Sequence, residues 1–372
     1  MVNIKRYQEI DKQLKKVWSK SPTFLKYIYP INKKGEMKKF FENDYIVEPD
    51  FKYVDIRHDP LKIIDLLKKI KVNTDDILTS VYKKTIQSEI NGQNILLNRG
   101  NREKVLYYSN KVFGKLTDIN FKKVEQDLKN FSKEYTKDIE EKNMKSKDIK
   151  HFFEKKLLSA SVRGWEVKIQ KVRGAITIDG RQHLVLIPKD RKSNLKRLNA
   201  LYYHEIEEHV FRYENGSSQK LRIFRGFPRS TATEEGIAMH LEYLNSDVRK
   251  KSYSKELLAY VVGCIYKGYS FRKTYNKLIA FGVEKERAFS RCLRVYRGGG
   301  FTKDFAYYQG YQTVKDFIQK GGDIKELYYG KYSIEDLPIV RKLKNEGVIV
   351  EPKYLPSICK TELKTSSPIK SI

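Results

Sequence analysis

The chain has 372 residues, 40% of them hydrophobic, and carries 75 Lys and Arg against 46 Asp and Glu, a formal charge of +29. That length and apolar content suit a globular protein with a substantial core, organised as one large or two medium domains. Three scattered cysteines (Cys264, Cys292, Cys359) without CxxC spacing exclude a disulfide framework, and with no signal-like N-terminus and no apolar run of membrane-span length a cytoplasmic location is expected.

Residues 1–20 read as a basic amphipathic helix broken at Ser21-Pro22, and Tyr29-Pro30 closes the next short element. Residues 60–71 place Ile63, Ile64, Leu66, Leu67 and Ile70 at helical spacing behind a proline start. Helices are expected over 75–88 and 101–113, and one or two charged surface helices over 122–158. Composition then shifts: Trp165 to Ile169 alternates, Ala175 to Ile178 follows and His183 to Ile187 closes the set, a small β-element. Asp179-Gly180 between the last two is a hairpin signal. A helix over 193–213 follows, and from Lys255 onward the pattern is mainly helical, interrupted at Gly298-Gly299-Gly300. The fold class is therefore α+β: mainly helical, with a small β-sheet before the 193–213 helix. The boundaries drawn from composition are a helical, basic region 1–110, a core 111–356 and a disordered tail 357–372.

The chemistry concentrates between residues 201 and 242. His204-Glu205-Ile206-Glu207-Glu208-His209 holds two histidines five apart. The usual zinc-peptidase motif spaces them four apart on one helix face. At about 100° per residue, positions five apart diverge by about 140°, so a regular helix cannot aim both rings at one ion. A π-turn would absorb the extra residue. The bland alternative is a set of i, i+4 surface ion pairs, His204 with Glu208 and Glu205 with His209, worth a few tenths of a kcal/mol, roughly. Glu234-Glu235-Gly236 begins another apolar-periodic run, so Glu235 would project from a second helix, where a third metal ligand belongs.

Several motifs in order resemble one family. HEIEEH at 204–209 and TATEEGIA at 231–238 are similar to the H-E-x-x-x-H and [QE]-E-G-L-A motifs of the tyrosine carboxypeptidase-like family. GGFTKD at 299–304 with Tyr307 and Gly310, GKYS at 330–333, PKYLP at 352–356 and EPDFKY at 48–53 resemble further family segments. The resemblance covers roughly residues 23–356. It implies a zincin-like metallopeptidase with zinc held by His204, His209 and Glu235 and with Glu205 as general base. It also implies removal of a C-terminal residue, tyrosine or another aromatic, from a protein tail, an acidic tubulin-type tail among the candidates. The position of Glu234 is glutamine in the QEGLA members, which favours Glu235 over Glu234 as the ligand. Glu207-Glu208 stands where the family has small residues, so these carboxylates would compete for the ion, repel an acidic substrate or point to solvent.

Other residues carry weaker signals. The glycines at 298–300 lack the spacing of a phosphate loop and read as a loop for close substrate approach. Thr302 reads as a helix N-cap and Tyr307 as a hydrogen-bond donor to a developing oxyanion. A carboxypeptidase needs a fixed cation for the terminal carboxylate; Arg222 and Lys303 lie nearest the family-like motifs, with Arg225, Arg229 and Arg297 behind them. His240 reads as structural. The net charge would steer acidic substrate. It would equally serve a basic scaffold or nucleic-acid-binding protein without catalysis, although no base-reading motif is present. A cytosolic zinc peptidase of other specificity is the remaining alternative.

Overall fold

The computed structural model describes residues 2–21, 25–134, 142–171, 175–245 and 254–359. The chain forms two compact units that interleave in sequence, Met1–Tyr135 with Ser252–Gln309, and Thr136–Lys251 with Gly310–Ile372. The boundaries drawn from composition, by contrast, run in sequence. Both units are mainly helical and the strands are short, so the α+β, mainly helical expectation holds. Among the described residues no helix is long and apolar enough to cross a membrane.

In the first unit the helix Ile4–Trp18 starts at Asn3, whose side chain accepts from Arg6 N. The helix Pro60–Lys69 starts at Asp59, with proline at its first turn as expected. The helix expected over 75–88 is Thr79–Leu97. Asp76 accepts from Leu78 N and its own N–H reaches Thr79 Oγ1, so 76–78 is a capping turn. At the far end burial of Asn91, Gln93, Ile95 and Leu96 carries the helix past Gly92. The core gathers Phe40, Phe121, Leu257, Val261, Phe289 and Cys292. A Cβ at Gly263 would lie 1.8 Å from the Phe121 ring, so only glycine fits where these helices pack. All three cysteines are buried.

Two expectations in this unit need correction. Thr302 is not an N-cap: it is the first residue of the short 3₁₀ turn Thr302–Asp304, and Phe301 precedes it. The glycines at 298–300, all at positive φ, are packed within the unit: Gly299 against the backbone of Gly100 and Arg102, Gly300 against the side chains of Leu106 and Ile265. Gly298 O accepts from Gly100 N at 2.9 Å, and Gly298 N donates to Tyr53 Oη at 2.7 Å.

In the second unit, β1 (Met144–Lys145) pairs with β5 (Lys192–Ser193), while β2 (Glu166–Gln170), β3 (Thr177–Asp179) and β4 (Leu184–Pro188) form one sheet in the order β2-β4-β3. β4 is parallel to β2 and antiparallel to β3, in register Ile178 opposite Val185. The Asp179-Gly180 hairpin signal is thus met. β4 is buried along most of its length, as a central strand should be, while β3 is an edge. Ser146 Oγ donates to the carbonyls of Pro188 and Lys189 at 2.9 and 2.6 Å, which pins the turn between β4 and β5. Of the tail expected over 357–372, Cys359 is buried and Ser357 is hydrogen-bonded to Glu207; residues 360–372 lie outside the described residues.

Candidate active site

Asn194 follows β5 directly and caps the next helix, accepting from Arg197 N at 2.8 Å. The helix runs Leu195–Tyr202, becomes a π-helix over Tyr203–Val210 and returns to α-helix over Phe211–Ser217. The π segment spans the whole HEIEEH motif. Its i→i+5 hydrogen bonding turns residues five apart onto one face, so His204 and His209 stand side by side with ring centroids 5.3 Å apart. The distortion that the spacing demanded is present.

The helix Ser230–Leu244 packs against this π segment. Close packing on its other side needs Gly236, where a Cβ would lie 2.3 Å from Gly310 O. Glu235 projects toward the histidines: its Oε2 is 3.7 Å from His204 Nε2 and 3.9 Å from His209 Nε2. The three side chains can hold a metal ion, their donor atoms lying within 4.8 Å of one another. Ligands about 2.0–2.2 Å from a tetrahedral zinc lie about 3.3–3.6 Å apart, so Glu235 stands a few tenths of an ångström, roughly, beyond that spacing from each ring. Two imidazoles and one carboxylate are the donor set of a catalytic zinc with an open fourth position.

The atoms behind these donors fit the same role. His204 Nδ1 pairs with Glu242 Oε2 at 3.2 Å, and Glu242 Oε1 is held by Arg197. His209 Nδ1 pairs with Glu208 Oε2, and Glu208 Oε1 accepts from Arg212 at 2.9 Å. Both rings therefore present Nε2 to the common point while a carboxylate fixes the opposite nitrogen. Burial works against a charged His204 ring, but Glu242, Glu205 and Glu235 outweigh it and raise its pKa to about 9. Burial likewise opposes charge on His209, and Glu208 and Glu235 again prevail. The carboxylates of Glu208, Glu235 and Glu242 thus surround the two half-buried rings.

Glu205 is 6% exposed. Burial pushes its carboxyl above the ordinary range, and the two histidines pull it only part of the way back. Glu234, its neighbour in the alternative ligand reading, is committed elsewhere: Ser230 Oγ donates to it at 2.6 Å and Lys331 Nζ sits on it at 2.7 Å. Burial opposes its charge, but Lys331 and Arg212 hold its pKa well below normal. A second group, Glu208 with His209 and Glu234, also clusters. There Arg212 and Lys331 already neutralise both carboxylates, so the first group is the better cation site.

Glu207 and Glu208, unexplained by the family pattern, neither face solvent nor join the ligand set, being 3% and 0% exposed. Glu207 Oε2 accepts from Ser357 N at 2.9 Å and so anchors the C-terminal segment. Glu208 orients His209 and neutralises Arg212. That arginine is fully buried, and its Nε and Nη2 also donate to the carbonyls of Leu327, Gly330 and Tyr332. The surface ion pairs of the bland reading do not form: His204 is paired with Glu242 and His209 with Glu208.

The remaining assignments fall elsewhere. Arg222, in the same unit, opens the 3₁₀ turn Arg222–Arg225 and is engaged within the protein. Lys303 and Tyr307 belong to the first unit, where the Arg294 guanidinium lies 6.0 Å from the Tyr307 ring centroid. His240 is kept toward its neutral form by burial. Sequence reading missed Glu242, Arg197, Arg212 and Lys331. Glu242 carried a signal, since it follows Glu235 by seven residues and so lies two turns along the same helix face.

A half-buried histidine pair and a buried carboxylate, with further carboxylates on the distal ring nitrogens, form a cluster that could hold a metal ion. The model of the microtubule-associated tyrosine carboxypeptidase family matches residues 38–371, and the chain belongs to that family. Membership implies a peptidase of the carboxypeptidase kind. A search of curated proteins finds no match to the chain.

Proposed function

We propose that the chain is a zinc-dependent carboxypeptidase that removes one C-terminal residue, tyrosine or another aromatic, from a protein tail. The observation that carries this reading is the convergence of His204 Nε2, His209 Nε2 and Glu235 Oε2, with Glu205 buried beside them. Zinc held by these three would supply Lewis acidity and a water acidic enough to ionise near neutral pH.

The chain's own groups supply the rest. Glu205, a desolvated carboxylate with a raised pKa, is suited to take a proton from the attacking water and deliver it to the leaving amine. Glu242 and Glu208 hold the two rings in the tautomer that presents Nε2. β3, an edge strand among the described residues, packs against the π segment, where a peptide could lie extended along it. Tyr307 as donor to the oxyanion, and Arg222 and Lys303 as substrate-binding cations, rest on the family resemblance. The family's printed description supports a microtubule-associated target, for which the charge of +29 would steer an acidic tail. A cytoplasmic location accords with such a target.

Metal analysis tests the reading. Purified protein should carry one zinc per chain, lost in His204→Ala and retained in Glu205→Gln. Absence of zinc from folded wild-type protein, after exposure to zinc, would remove the proposal.

A further inference from the structure

Helices with i→i+5 hydrogen bonds form, as a rule, single turns inside α-helices, because each interrupts the i→i+4 ladder on either side. The π segment Tyr203–Val210 runs for eight residues, and its neighbours Leu195–Tyr202 and Phe211–Ser217 are α-helical. Nothing in the composition of YHEIEEHV opposes an α-helix there. Contacts from outside the helix must therefore hold the wider register, and they act where they reach into its ladder.

Two such contacts meet on Glu207, three residues after His204 and two before His209. Its main-chain carbonyl accepts from Tyr328 Oη at 3.1 Å. Its Oε2 accepts from Ser357 N at 2.9 Å and from Ser357 Oγ at 3.1 Å. Tyr328 is fully buried and its N–H donates to Lys325 O at 3.0 Å, so the hydroxyl is delivered from a fixed position. The stretch that carries Tyr328 follows the same helix, since the carbonyls of Leu327, Gly330 and Tyr332 all accept from Arg212. The stretch that carries Ser357 is secured one turn and more beyond Glu207. Asn215 Nδ2 donates to Tyr354 O at 2.7 Å, Tyr354 N donates to Asn215 Oδ1 at 3.0 Å, and the Phe211 and Tyr354 rings stack with centroids 5.3 Å apart. A side-chain hydroxyl on a carbonyl inside a helix competes with the intrahelical N–H, and a regular α-helix has no use for it.

We infer that Tyr328 and Ser357 clamp Glu207 and thereby hold the π register that sets His204 and His209 on one face. Both are positioning residues for the metal site, and the inference rests on the metal-site reading above. Were the segment to relax to an α-helix, positions five apart would diverge by about 140° and one imidazole would leave the common point. Glu207 thus serves the site without ligating: it is the handle by which two distant stretches of chain grip the helix between its two histidines.

The test is the zinc affinity of the full chain, by competition with a chelator, beside thermal melting of the chelated protein. Tyr328→Phe removes only the hydroxyl and should weaken zinc binding about 10- to 100-fold, the loss typical of a partner that orients a metal ligand. Tyr332→Phe is the matched control. Tyr332 is equally buried and comes from the same stretch, but its hydroxyl donates to Glu326 O and not to the π segment. It should lower the melting temperature and leave zinc affinity unchanged. Cobalt(II) in place of zinc gives a second readout: loss of a ligand in Tyr328→Phe should replace the strong visible absorption of a four-coordinate site with the weak absorption of a higher-coordinate one. Ser357→Ala keeps the N–H bond and removes the hydroxyl bond. It should shift affinity in the same direction by less, and it carries the test if Tyr328→Phe does not fold. Unchanged zinc affinity in folded Tyr328→Phe, or in Ser357→Ala where only that variant folds, overturns the inference. So does an equal loss in Tyr332→Phe, which would show a general loosening of the fold. Absence of zinc from the wild-type chain would instead remove the metal-site reading, and the inference with it.

Discussion

Glu242→Gln is the substitution that best isolates the supporting layer of the metal site. Glu242 accepts from His204 Nδ1 at 3.2 Å through one oxygen and is held by Arg197 through the other. Glutamine preserves the shape and can keep one of these contacts, but it removes the charge and forces its NH₂ toward either a donor or the ring. Loss of a carboxylate behind a ligating histidine typically lowers metal affinity about 10- to 100-fold, which is about 1.4–2.7 kcal/mol. Burial opposes ionisation of Glu242, and His204 and Arg197 together hold its pKa near the bottom of the carboxylate range, so at neutral pH the full charge is lost on substitution. The assay is competition for zinc between the full chain and a chelator of known affinity. Melting of the chelated protein separates a weakened site from a weakened fold. Affinity within about twofold of wild type would refute the argument that the carboxylate–histidine pair tunes the ligand.

Further predictions follow from the packing around that site. Glu205→Gln should fold and bind zinc normally while activity falls by about 10²–10⁴, read by single-turnover kinetics; a loss under tenfold would remove Glu205 as the base. Glu208→Ala leaves Arg212 buried without its anion and should cost about 3–5 kcal/mol in urea unfolding; a loss under 1 kcal/mol, roughly, would show that the pair is not needed to hold Arg212 in place. Gly236→Ala forces a Cβ onto Gly310 O and should cost about 1–3 kcal/mol; a wild-type midpoint would show that this helix is not closely packed there. Asp304, 1% exposed, is opposed by burial but kept ionised by Arg294, so its folded pKa lies below the ordinary 3.8. Its contribution is therefore fully present above about pH 3.8 and is lost as pH falls through the lower folded value. Asp304→Asn should cost about 1–3 kcal/mol at pH 7, and the gap from wild type should narrow below pH 4; a gap independent of pH would contradict the pairing.

The convergence of His204, His209 and Glu235 was legible because its signals are local. Two histidines five apart require a distortion, and a glutamate opening an apolar-periodic helix has a face to project from. The partners of that triad were not legible in the same way. Arg212 acquires meaning only when the carbonyls of Leu327, Gly330 and Tyr332 arrive from a segment more than a hundred residues away. Glu208 looked like a stray carboxylate until that arginine accounted for it. Lys331 lay inside the GKYS segment, but its ion pair with Glu234 crosses 97 positions. The same limit governs the fold. Helix starts at Asn3, Asp59 and Asn194 were set by single capping side chains, whereas the interleaving of residues 1–135 with 252–309 depends on contacts no periodicity records. At the glycines 298–300 the conformational freedom was readable, whereas their packing on the backbone of Gly100 and the Tyr53 hydroxyl was not.

The most direct test of the central claim is mass spectrometry of an acidic peptide ending in tyrosine, incubated with the zinc-loaded full chain. The account predicts one product, shorter by the terminal tyrosine alone, formed by wild type and not by Glu205→Gln. Internal cleavage, stepwise trimming without regard to the last residue, or equal release by Glu205→Gln would contradict it.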